Sequence, residues 1–96
     1  MAGINYVVLD VLKPHKPSIL EVGKELLKLG NGLSVNLRIS EIDEKTETIQ
    51  IIVKGKNINI EKIRKIVEKM SGSVHSIDEV SLGKCVINSK DYLKIH

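Results

Sequence analysis

The stretch Ile4-Asn5-Tyr6-Val7-Val8-Leu9-Asp10-Val11 is apolar at both alternating sets of positions. Ile4, Tyr6 and Val8 share one parity, and Val7, Leu9 and Val11 share the other. Successive strand side chains leave by opposite faces, so this strand is predicted to lie in the middle of a sheet that is covered on both sides. Lys13-Pro14-His15-Lys16-Pro17 ends it, because proline lacks the amide hydrogen that a ladder needs.

Working outward, Ser18-Ile19-Leu20-Glu21 has the spacing of a capping box and starts a helix. Ile19, Val22, Leu26 and Leu29 form its apolar stripe, and Gly30 to Gly32 supplies the left-handed stop. Leu33, Val35, Leu37 and Ile39 then alternate with Ser34, Asn36, Arg38 and Ser40, the pattern of an edge strand with one wet face. The alternation slips at Glu41-Ile42, which predicts a bulge or the strand's end. After the polar turn Asp43-Glu44-Lys45-Thr46, residues Glu47 to Lys54 return as a strand, with Ile49, Ile51 and Val53 inward and Ile52 on the opposite face. Asn59 caps a second helix, Ile58 and Ile63 are placed to clip its entry, and Ser71-Gly72 stops it. A last strand runs from Val74 to about Ile87.

Strand, helix, strand, strand, helix, strand is the α+β ferredoxin-like order. Right-handed crossovers place the four antiparallel strands 4-1-3-2 with both helices on one face. The chain of 96 residues is predicted to form one domain over 1–96, with a core of about 4–87 and a tail over 88–96 that is either loose or an arm docking on a neighbour. The first strand offers apolar side chains to both faces and Ile52 joins the second, so a homo-oligomer through that second sheet face is expected.

Composition narrows the function. There is no Phe or Trp, and Tyr6 and Tyr92 are the two aromatic residues, so neither aromatic anchors nor base-stacking platforms are available in number. The net charge of +3 comes from lysines spread along the chain with Arg38 and Arg64 alone as arginines, which argues against a nucleic-acid footprint. The lone Cys85 excludes an internal disulfide, and the sequence shows no apolar run long enough for a membrane span, so a cytoplasmic, membrane-free protein is expected.

The polar content of one predicted strand is unusual. Gly72-Ser73-Val74-His75-Ser76-Ile77-Asp78-Glu79-Val80 carries three titratable groups among its apolar residues. With Leu9-Asp10-Val11-Leu12-Lys13-Pro14-His15-Lys16-Pro17 and Glu41-Ile42-Asp43, it resembles the archaeal family of domains of unknown function catalogued as number 211, over about Ile4 to Gly83. The resemblance implies a small ferredoxin-like protein that forms homo-oligomers, and it implies no reaction.

In the predicted topology Asp10, His15, Glu41, Asp43, Glu47 and His75 gather at one end of the sheet, while Asp78 and Glu79 lie further down the last strand. Asp10, Asp78 and Glu79 are the candidate metal ligands, suited by their oxygens to Ca2+ or Mg2+, and His15 and His75 are candidate ligand-binding residues. In a regular strand the consecutive Asp78 and Glu79 point to opposite faces. The plainest alternative has Asp10 capping a turn, the histidines bonded locally and the hairpin acids solvated. The favoured function is a non-catalytic ligand- or metal-binding module. An enzyme whose site forms between chains, with His75 as general base, stands as the alternative, and nucleic-acid binding as a weaker third. The loop after the first strand has neither the cysteine pair of a copper chaperone nor the glycine-rich, arginine-bearing cradle of an acylphosphatase.

Overall fold

The computed structural model describes residues 3–90. It contains β1 (Ile4–Pro14), α1 (Ile19–Leu27), β2 (Ser34–Ile42), β3 (Thr46–Lys54), α2 (Ile60–Lys69) and β4 (Ser73–Leu82). The strands form one antiparallel sheet in the order β2-β3-β1-β4. This is the expected ferredoxin-like arrangement, with β1 central and β2 and β4 at the edges.

The inward parities predicted from the alternation hold. Val7, Leu9 and Val11 of β1 and Ile49, Ile51 and Val53 of β3 are buried against Val22 and Leu26 of α1 and Ile63 and Val67 of α2. Leu9 is fully enclosed, so Leu9→Ala is expected to cost about 2–5 kcal/mol through lost transfer energy and the cavity left behind.

Both helices begin where their caps say. The Ser18 hydroxyl accepts from the Glu21 amide, the Glu21 carboxylate accepts from the Ser18 amide, and Asn59 Oδ1 accepts from the Lys62 amide. The stop of α2 differs in detail from the sequence reading. Ser71, not Gly72, takes the left-handed conformation, with φ of 69°. Gly72 is needed for a different reason: a Cβ there would sit 3.2 Å from the Leu12 carbonyl oxygen and 3.1 Å from Val67. The slip at Glu41 is a real irregularity, since the β2–β3 register shifts between Ile39 and Glu41.

The last strand is shorter than predicted. It ends at Leu82, because Gly83 turns the backbone with φ of +115°, and the following segment folds back along the sheet. Asn5 Nδ2 donates to the carbonyls of Gly83 and Cys85, and the Ile87 amide donates to Ser81 Oγ. Of the predicted tail, residues 91–96 lie outside the described residues.

Candidate functional site

At one end of the sheet a charged cluster forms because two opposite charges share the inward parity. Lys13 follows Val7, Leu9 and Val11 at steps of two, Glu47 precedes Ile49, Ile51 and Val53 in the same way, and the two residues are direct partners across β1 and β3. Lys13 Nζ lies 2.9 Å from Glu47 Oε2, with both side chains almost wholly buried. Lys13 also donates to the Pro14 carbonyl at 2.8 Å. The other Glu47 oxygen meets His15 Nδ1 at 3.1 Å, and His15 Nε2 meets the carbonyls of Asp43 and Glu44 at 2.9 and 3.1 Å.

Every partner of the His15 ring is an acceptor, so both nitrogens are satisfied only when both carry hydrogen, as in the imidazolium. The Glu47 carboxylate, followed by the Glu44 carbonyl, accordingly raises the His15 pKa above its ordinary 6.5. Lys13 holds the Glu47 carboxyl below its ordinary value, against the opposing effect of burial, and His15 adds to the lowering. The cluster ties the loop after β1 to the β2–β3 turn. Glu47 is therefore not a solvated hairpin acid, whereas Glu41 and the Asp43 side chain are exposed.

The other predicted site residues, Asp10 on β1 and His75, Asp78 and Glu79 on β4, do not join this cluster. Across β1 and β4, Val8 pairs with Glu79 and Leu9 with Ile77, which leaves Asp78 as an extra residue. Asp10 pairs with Ser76 and Val11 with Val74, which leaves His75 as another. Both residues thus sit in bulges of an edge strand, a device that interrupts the ladder and discourages edge-to-edge pairing. The bulge also changes where Asp78 goes: its carboxylate accepts from Ser76 Oγ at 2.6 Å, on the side where Ser76 faces Asp10. The opposite-face expectation for Asp78 and Glu79 assumed a regular strand, and this strand is not regular there. The His75 side chain is exposed and makes no hydrogen bond among the described residues.

Glu79 belongs to the second sheet face. It accepts from the Ser89 amide at 2.8 Å and stands near Tyr6, whose hydroxyl pKa is raised first by burial and then by the Glu79 charge. A shallow cavity of about 420 Å3 opens on this face, lined by Tyr6, Val8, Arg38, Ile52, Glu79 and the returning segment at Ser89. Among the described residues no three His, Cys, Asp or Glu side chains are grouped closely enough to hold a metal ion. Nor is any described helix long and apolar enough to cross a membrane.

The sequence reading gathered His15 and Glu47 at this end of the sheet but missed Lys13 as their partner, and its plainest alternative left Glu47 among the solvated acids. The signal was present in parity: two unlike charges on inward positions of neighbouring strands.

The chain is similar to known proteins along most of its length. An uncharacterized protein of Methanocaldococcus jannaschii, MJ0319, is 42% identical over 87 residues, covering 91% of this chain and 90% of that protein. An uncharacterized AAA domain-containing protein, ycf46, of Pyropia yezoensis is 29% identical over 75 residues, which is 78% of this chain but 14% of that much longer protein. The family model DUF211, described as uncharacterized ArCR, matches residues 5–94, nearly the whole chain, and the protein belongs to that family.

Proposed function

We propose that the protein is a non-catalytic, single-domain module of the cytoplasm that assembles into a homo-oligomer and binds a small ligand or a divalent ion. The observation that carries the reading is apolar surface left open by the fold. On the second sheet face Leu12 is 43% exposed beside the half-buried Tyr6 and Ile52, and on the helix side, where their partners Leu9 and Val7 lie, β4 exposes Ile77 and Val80, with Leu82 exposed at its end. Two bulges weaken β4 as a template for strand pairing, so side-chain packing over the sheet face is the favoured mode of association.

The ion part of the proposal follows from the same geometry. One chain lacks a closed set of ligands among the described residues, so Asp78 or Glu79, with Asp10 nearby on the sheet, would hold Ca2+ or Mg2+ together with residues of a second copy. His75, exposed and unengaged among the described residues, is the freer of the two histidines for a ligand. His15 already has partners on both ring nitrogens.

Calorimetric titration of calcium, magnesium and zinc into chelator-stripped protein tests this part. Heat with Ca2+ or Mg2+ that disappears in Asp78→Asn and Glu79→Gln is the expected result. No heat and no shift in melting temperature with any ion removes the metal from the proposal.

A further inference from the structure

The lysines that are scattered in sequence are not scattered in space. At the end of the sheet opposite the Lys13–Glu47 cluster, a cavity of about 690 Å3 is lined by Lys54, Lys56 and Lys84, four glycines and Asn5, and no acidic residue lines it. Among the described residues none of these three lysines has an ion-pair partner, whereas Lys13 and Lys28 do. Lys56 and Asn57 also line a neighbouring cavity of about 170 Å3, which adds Lys62 and reaches Asn59 at the N-terminus of α2. The positive end of that helix dipole therefore faces the same region. Like charges held together without counter-charges repel one another, so the arrangement favours an anion between them.

A second observation comes from the cavity wall. Asn5 is 6% exposed, and its Nδ2 donates to two carbonyls, which can only accept, so the orientation of the amide is fixed. Its Oδ1 is left buried with no partner. A buried acceptor without a donor costs about 1–3 kcal/mol, and this oxygen, sealed from solvent, carries that cost whether or not the cavity is occupied. No aromatic residue lines the cavity, so nothing there stacks on a nucleobase. The volume exceeds what a bare phosphate needs and lies in the range of small-molecule sites, about 300–1,000 Å3.

We infer that this cavity is a binding site for a phosphate-bearing small molecule, held by Lys54, Lys56 and Lys84. The site is distinct from the residues of β4 and does not depend on the ion proposed there.

The test is calorimetric titration of the full chain with ribose 5-phosphate and, separately, inorganic pyrophosphate, at constant ionic strength set with sodium chloride. The expected result is saturable binding of at least one probe, one molecule per chain. The triple variant Lys54→Gln, Lys56→Gln, Lys84→Gln should bind it roughly tenfold or more weakly, while Lys24→Gln with Lys45→Gln, which removes lysines remote from the cavity, leaves binding unchanged. These lysines are exposed, so the variants are expected to fold, and unchanged melting temperatures check it. Failure of both probes to bind, or equal affinity in the two sets of variants, overturns the inference.

Discussion

Lys13 and Glu47 are direct partners across β1 and β3, and they place an ammonium 2.9 Å from a carboxylate in a layer otherwise built of Val, Leu and Ile. Removing one charge leaves the other buried. Lys13→Met is therefore expected to destabilise the fold by about 3 kcal/mol. Lys13→Met combined with Glu47→Leu should recover much of the loss, since an apolar pair of similar volume has no charge to desolvate. Denaturant unfolding of the two variants checks the ordering.

Stability should have a defined pH window. The His15 pKa is raised above 6.5 in the folded protein, so the stabilisation from its bonds to Glu47, Asp43 and Glu44 is complete below pH 6.5 and fades as pH rises through the folded value. The Glu47 pKa is lowered below 4.5, so its stabilisation is complete above pH 4.5 and is lost as pH falls through the folded value. The two contributions coexist between pH 4.5 and 6.5. In His15→Gln the decline on the alkaline side should flatten while the acid side stays, as read from melting temperature against pH.

Tyr6 reports on the second sheet face. Burial and the Glu79 charge both disfavour its phenolate, so Glu79→Gln should lower the Tyr6 pKa toward, but not fully to, 10.0. Phenolate absorbance in a Tyr92→Phe background measures it, and an unchanged titration would show that Glu79 does not act on Tyr6.

Ser71 holds a left-handed backbone that glycine adopts without a Cβ penalty. Ser71→Gly is expected to leave stability equal or raise it by up to about 1 kcal/mol. Gly72→Ala, by contrast, should destabilise, because the new methyl meets the Leu12 carbonyl and Val67.

The fold was legible because parity and caps are local signals. Val7, Leu9 and Val11 announced a covered face, Ser18 and Asn59 announced the helix starts, and the order of elements then left one sheet topology. Three features were not legible, each for a physical reason. The bulges at His75 and Asp78 depend on the register against β1, which no single strand's sequence contains. The division of labour between Ser71 and Gly72 is set by how closely Leu12 approaches the end of α2. The meeting of Lys54, Lys56 and Lys84 requires the chain to bring the end of β3 beside the turn after β4. The one polar pair that could have been found was Lys13 with Glu47, had inward parity been applied to charges as it was to valines.

The central claim is self-association through apolar surface that one chain leaves open, and multi-angle light scattering at micromolar concentration tests it most directly. A mass at an integer multiple, two or more, of 10.7 kDa is predicted, with Tyr6→Lys and Ile52→Glu shifting it toward a single chain. A wild-type protein that runs at 10.7 kDa across the concentration range would contradict the account.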